Sequence, residues 1–187
     1  MTEQRNTRMN SPTEEALLLQ EARHDPNKFG ELYQLYVERV YRYVYSHLSD
    51  VPAAEDVTAQ TFLAAYESFP RLRQDDCFAA WLFGIARNKI FDHFRRSMKT
   101  TPLQDWDSLG SGDDPALLMM QSEQAQQLAQ MIKQLPEDDR ELLRLRFLAQ
   151  MSFAEIADLI QRKEDTVKKT VYRLLARLQS QAEASHE

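Results

Sequence analysis

Leu135-Pro136-Glu137-Asp138-Asp139-Arg140-Glu141-Leu142-Leu143-Arg144-Leu145-Arg146-Phe147 opens a dense apolar pattern that runs to Leu178. The pattern breaks at Gln161-Arg162-Lys163 and resumes as Asp165-Thr166-Val167-Lys168-Lys169-Thr170-Val171-Tyr172-Arg173. At ~100° per residue, Val167, Val171, Leu174 and Leu178 fall in one narrow arc, and Lys169, Tyr172, Arg173 and Ala176 fall opposite. Upstream, Ser152 to Ile160 places Phe153, Ile156, Ala157 and Ile160 on one side, as a short helix crossing the second near a right angle requires. The stretch reads as a DNA-reading helix-turn-helix, with a solvated surface helix as the plainer alternative. Local charge favours the first reading. Between Gln161 and Gln181 six Lys or Arg face two acids, a local +4 inside a chain whose net charge is -6.

Working outward, a second basic island lies at Ile85 to Ser97, where Arg87, Lys89, Arg95 and Arg96 meet the single acid Asp92. Two such islands on an acidic chain point to two nucleic-acid contacts on otherwise repelling surfaces. The 187 residues suit one domain or two small ones. Apolar positions recur at three- and four-residue spacing without alternation, and glycine is scarce, so the fold class is all-α. No apolar run approaches the ~18 residues of a membrane span, and the polar start of the chain lacks a secretory core. A cytoplasmic location is expected. The lone Cys77 reads as an ordinary packed residue, and His24, His47, His93 and His186 lack ligand spacing, so no metal or cofactor is expected.

The pattern predicts a disordered tail over 1–12, a helical domain over 13–97, an acidic flexible linker over 98–114, a second helical domain over 115–181 and a tail over 182–187. In the first domain, helices are expected from Thr13 to Arg23, Phe29 to Leu48, Ala53 to Phe69 and Phe78 to Arg96. The second buries Phe29, Tyr33, Tyr36, Val40, Val44 and Leu48. The third buries Phe62, Ala65, Tyr66 and Phe69 and turns Asp56, Gln60, Leu63 and Glu67 outward. The fourth has two apolar sides, Phe78-Leu82-Ile85 and Phe83-Ile90-Phe94, and is either central or offers its second side to a partner. Pro136 opens a helix running to about Ala149, and each half is near the size where a single core is marginal.

Several segments together resemble the bacterial RNA polymerase sigma factors of the compact extracytoplasmic-function type. They are Phe29-Gly30-Glu31-Leu32-Tyr33, Ala54-Glu55-Asp56-Val57-Thr58-Ala59-Gln60-Thr61-Phe62, Trp81-Leu82-Phe83-Gly84-Ile85-Ala86-Arg87-Asn88, Asp92-His93-Phe94-Arg95-Arg96, Leu135-Pro136, Ser152-Phe153-Ala154-Glu155-Ile156-Ala157 and Thr166-Val167-Lys168. The resemblance covers nearly the whole chain. It implies a first domain that binds the clamp coiled coil of core RNA polymerase and melts the minus-ten promoter element, and a second that reads the minus-thirty-five element as duplex. It makes Asp56, Gln60 and Leu63 the polymerase contacts. For the minus-ten strand it implies Leu72, Arg73, Trp81, Arg87, Asn88, Arg95 and Arg96, with Asn88 lining a pocket for a flipped base beside the loop Arg71 to Cys77. Unstacking a base costs a few kcal/mol, which an apolar wall and edge hydrogen bonds can offset. Trp81 could be such a wall or plain core. For the minus-thirty-five duplex it implies Thr166, Lys168, Lys169, Tyr172 and Arg173. An anti-sigma factor is an implied partner, and the acidic linker would thread a polymerase channel or serve as a plain spacer.

The chain departs from the family pattern at Ala59, Leu72, Gln74, Gln161, Lys163 and Thr170. Two rival readings use other partners. A helix-turn-helix repressor or activator would carry an N-terminal dimerisation domain, and a sigma-like interaction protein would have weakened DNA binding. The sequence holds no nucleophile-and-base set and no phosphate-cradling loop, so an enzyme is not expected.

Overall fold

The computed structural model describes residues 12–73, 77–100 and 123–184. Among them every regular element is helical. In chain order these are α1 (Pro12–His24), a 3-10 turn (Pro26–Lys28), α2 (Phe29–Leu48), α3 (Val51–Ser68), a 3-10 turn (Phe69–Arg71), α4 (Phe78–Thr100), α5 (Glu123–Lys133), α6 (Glu137–Leu143), a π-helical turn (Arg144–Leu148), α7 (Phe153–Ile160) and α8 (Glu164–Ala184). α4 runs three residues into the stretch expected as linker, and α8 runs three into the expected tail. The rest of that linker and residues 1–11 lie outside the described residues.

Local chemistry explains where elements start and stop. Asp50 takes an extended conformation before α3 and its carboxylate accepts from the Ala53 amide at 2.8 Å, with Pro52 supplying a φ suited to a first turn. Ser152 and Glu155 form a reciprocal capping box that starts α7. Gln161 ends α7 with φ 53° and ψ 47°, a left-handed conformation that glycine adopts without strain. The departure from the resembled family's pattern at Gln161 thus falls where the backbone itself favours glycine. α6 gives way to a π turn in which the Ala149 amide donates to the Arg144 carbonyl at 2.9 Å.

The core is one body of apolar side chains reaching through both halves. α2 gives Phe29, Leu32, Tyr36, Val40, Tyr43 and Val44, and α4 gives Phe78, Leu82, Phe83, Ala86 and Ile90. Leu145, Met151, Ile156, Val167 and Val171 from the second half join them. Both apolar sides of α4 are thereby used. Phe78 of one side lies on Tyr36 and Phe83 of the other on Tyr43, both on α2, while α4 as a whole also packs on α3 and α7. A smaller cluster of Leu135, Leu143, Leu174 and Leu178 closes the far end against Met131 and Ile132.

Two aromatic positions differ from the periodicity. Tyr33 and Tyr66, expected inside, are 44% and 50% exposed. Each lies with its ring edge on a core ring instead, Tyr33 on Phe62 at 4.8 Å and Tyr66 on Phe29 at 5.2 Å. A tyrosine can cover a core from its rim and keep its hydroxyl wet, which a two-state inside-or-outside pattern does not express.

The two halves are fastened along one stripe of α2. Arg39 Nε donates to the Ala149 carbonyl at 2.8 Å and Nη2 to the Gln150 carbonyl at 3.2 Å, just past the π turn. Tyr43 donates to Glu141 at 2.6 Å, and His47 Nε2 faces the other oxygen of Glu141 at 3.1 Å without hydrogen-bond alignment. Burial pushes the Glu141 carboxyl up, but His47, the Tyr43 hydroxyl and Arg144 outweigh it and leave the group below its ordinary 4.5. Burial and Glu141 hold the Tyr43 hydroxyl well above its usual range.

Candidate nucleic-acid and polymerase interfaces

α8 separates its two faces cleanly. Val167, Val171, Leu174 and Leu178 are 1%, 1%, 3% and 6% exposed, while Thr166, Lys168, Lys169, Tyr172 and Arg173 all lie on the open side. Each fully buried aliphatic side chain contributes ~1.5–3 kcal/mol, so the stripe fixes the rotation of the helix and hence where its cations point. Among the described residues, Lys168, Lys169 and Arg173 make no side-chain hydrogen bond or ion pair, which leaves their full charge for a phosphate or a base edge. Tyr172 is 55% exposed and lies against Phe153 of α7 at 5.8 Å. Phe153 is in turn covered by the Arg146 guanidinium, 4.6 Å from its ring centre. Arg146 also donates to the Met151 carbonyl at 2.6 Å, tying the segment before α7 to the turn behind it. Arg162, Lys163 and Arg177 are exposed as well and extend the cationic surface beyond the residues picked from sequence.

The first island is arranged differently. Arg95 pairs with Asp92 at 2.8 Å, and Arg96 reaches the Asp92 carbonyl at 3.3 Å and Gln60 at 3.4 Å. The Arg87 guanidinium lies 5.8 Å from the ring of Phe91, which is 61% exposed beside the open Asn88. Phe91 escaped the sequence reading because it belongs to neither apolar stripe of α4. Trp81 is half-buried, tilted against Phe78 at 5.6 Å and Phe69 at 6.4 Å, so it is wall and core at once. Leu72 is 5% exposed, so this position offers a solvent-side ligand its backbone rather than its side chain. Arg73 follows it on the surface. α7 packs on α4 where Gly84 leaves room for Leu159, whose Cδ1 would lie 3.7 Å from a Cβ there.

The outer side of α3 carries Asp56, Gln60 and Leu63, the last 60% exposed. Gln60 donates to Asp56 at 2.7 Å and accepts from Arg96, so one chain of contacts runs from the expected polymerase side to the expected DNA side. Cys77 is half-buried at the start of α4, where burial raises its thiol above the usual range and keeps it protonated. His47, expected to stand alone, is brought beside Glu137 and Glu141, with ligand atoms within 4.8 Å of one another. Arg140 and Arg144 already pair with Glu137, the latter at 2.5 Å, so the carboxylates have their countercharge. The sequence could not show this grouping, since it joins residues about ninety positions apart.

Comparison with known proteins identifies the family. Sigma-70 region 2 matches residues 32–100, and Sigma-70 region 4 matches residues 125–178. The extracytoplasmic-function (ECF) RNA polymerase sigma factor SigM of Bacillus subtilis is 30% identical over 152 residues, covering 80% of this chain and 92% of its own length. The chain belongs to the extracytoplasmic-function sigma factors. ECF sigma factor BldN of Streptomyces coelicolor is 32% identical over 160 residues, 82% of this chain but 60% of BldN. Among solved structures, CnrH in complex with the cytosolic domain of CnrY shares the fold, with TM-score 0.65 and 23% identity over 90% of this chain and 97% of CnrH. This sigma factor is a transcription initiation factor that directs RNA polymerase to promoters, and the region 2 match replaces the dimerisation domain of the repressor reading. No described helix is long and apolar enough to cross a membrane.

Proposed function

We propose that this sigma factor divides its work between two surfaces, α8 reading the minus-thirty-five element in duplex form and α4 with the loop before it engaging the opened minus-ten strand. The observation that carries the reading is the open cationic face of α8, set by its buried stripe. Duplex reading needs side chains that reach base edges and others that hold phosphates. Lys168, Lys169 and Arg173 supply cations for both, Thr166 and Tyr172 supply hydroxyls, and a bidentate contact to a guanine edge gives ~1–3 kcal/mol of discrimination.

Leu72, Arg73, Trp81, Arg87, Asn88, Arg95 and Arg96 form the minus-ten set, and Asp56, Gln60 and Leu63 meet the polymerase clamp. The work is binding and positioning, without a catalytic step, and it takes place where core polymerase and promoter DNA are, in the cytoplasm. An anti-sigma factor is the further partner, in keeping with the sigma factor RpoE from Bartonella quintana, which shares the fold and is solved in complex with the anti-sigma factor NepR.

The test is transcription from a random promoter pool by core polymerase with the wild-type chain and with Lys169→Ala/Arg173→Ala. The double variant loses promoter-specific transcription, retains polymerase binding, and lowers the salt slope of duplex binding by about 2. Equal loss of transcription and polymerase binding would defeat the division of labour.

A further inference from the structure

The minus-ten loop is held from an element that the sequence reading gave no role. Arg23, in the last turn of α1, donates from Nη1 to the Leu72 carbonyl at 2.6 Å and from Nη2 to the Arg73 carbonyl at 2.9 Å, across 49 and 50 positions of sequence. Its guanidinium carbon lies 5.8 Å from the ring centre of Phe69, and that ring packs on Phe78 and Trp81.

The loop leaves the core at a defined point. The Leu72 amide closes the 3-10 turn by donating to the Phe69 carbonyl at 3.0 Å, the Leu72 side chain is buried, and Leu72 then turns extended with φ -65° and ψ 125°. Two consecutive carbonyls at that exit would otherwise be free to rotate with the chain. A planar guanidinium with paired donors fixes both at once, which a flexible ammonium cannot do. The same contact covers two carbonyl oxygens that would repel a passing phosphodiester.

We propose that Arg23 is a positioning residue for minus-ten recognition, fixing the backbone of Leu72 and Arg73 where these two residues meet the unstacked strand. The inference rests on the proposed function of the loop and deepens it. Arg23 acts through the loop backbone, and its contacts lie at the Phe69 end of α3, away from Asp56, Gln60 and Leu63 and from α8. Misplacing a recognition loop by an ångström is enough to lose tight discrimination.

The test uses the full chain bound to core polymerase. The probe is a fluorescent single-stranded decamer carrying the minus-ten segment that wild-type holoenzyme enriches from a random promoter pool, with a scrambled decamer as reference. Arg23→Ala is expected to lower the preference for the enriched decamer by about tenfold, with Arg23→Lys intermediate. Polymerase association and binding of a minus-thirty-five duplex stay at the wild-type level. Wild-type preference in Arg23→Ala overturns the proposal, and so does an equal loss on the decamer and the duplex, which would mean a general loss of structure. Should Arg23→Ala not fold, Arg23→Lys keeps stem and charge and decides on the same readout. No preference by the wild-type holoenzyme would overturn the function assigned to the loop, and this role with it.

Discussion

α8 and α4 both carry arginines and lysines on an otherwise acidic protein, yet the two helices hold them in opposite ways. On α8, Lys168, Lys169 and Arg173 stand in solvent with no ion-pair partner among the described residues, aimed by the buried stripe behind them. On α4, Arg95 and Arg96 are tied to Asp92 and Gln60, Arg87 lies beside Phe91, and the adjoining loop is clasped by Arg23. The difference fits the two forms of nucleic acid proposed for these helices. A duplex is a regular ladder of phosphates, and charge presented on a straight rod suffices to find it. A separated strand has no fixed shape, so the protein must bring the shape, and intramolecular contacts are how a short loop and a helix keep one.

That contrast can be broken at the joint between the halves. Glu141→Ala leaves Tyr43, His47 and Arg144 facing a buried void, and a loss of ~3 kcal/mol in unfolding free energy is expected, checked by denaturant melts. The pH dependence follows from the depressed carboxyl. A group whose folded value lies below its unfolded 4.5 contributes stability above that pH and loses it as pH falls through the folded value. Wild type therefore loses stability on acidification below about pH 4.5 more steeply than Glu141→Gln. Equal acid profiles would show that Glu141 is not clasped in solution.

A smaller effect is expected on α3. Asp56→Arg reverses one exposed charge that, among the described residues, is contacted by Gln60, and polymerase affinity should fall about tenfold in a pull-down titration with the fold intact. Unchanged affinity would take α3 out of that interface and leave its link to Arg96 without a function. A gentler change sharpens the contrast between the cation sets. Asp92→Ala frees Arg95 from an exposed pair of the kind that contributes ~0–1 kcal/mol, so binding of a minus-ten single strand should strengthen about two- to threefold. A decrease would mean that Asp92 aims Arg95 rather than restraining it. A change of similar small size is expected at the turn between α7 and α8. Gln161→Gly relieves a left-handed residue, and thermal stability should rise by ~0.5–1 kcal/mol with duplex binding unchanged.

The all-helical fold and the turn of α7 into α8 were legible because periodic apolar spacing reports burial directly, and Val167, Val171, Leu174 and Leu178 kept strict register. Ser152 and Glu155 also have capping-box spacing, a signal the sequence analysis left unused. What the pattern could not reveal lies between distant segments. Arg39, His47 and Glu141 look like ordinary surface charges in sequence, and only the docking of α6 and the π turn on α2 makes them a clasp. Leu72 read as a loop residue open to DNA, whereas its side chain fills the core, because a single apolar residue between arginines has no periodicity to reveal its direction. Arg23 was silent for a related reason, since its partners are backbone carbonyls, and any sequence has those.

The apolar interior shared by α2, α4, α7 and α8 has one more consequence. Leu145, Met151, Ile156, Val167 and Val171 share one core with α2 and α4, and any parting of the halves to grip two promoter elements would take that cover away. Water is a poor substitute for that cover. Whatever draws the molecule open must bring greasy surface of its own, so a large protein host is a more fitting trigger than naked DNA, whose exterior is charge and sugar.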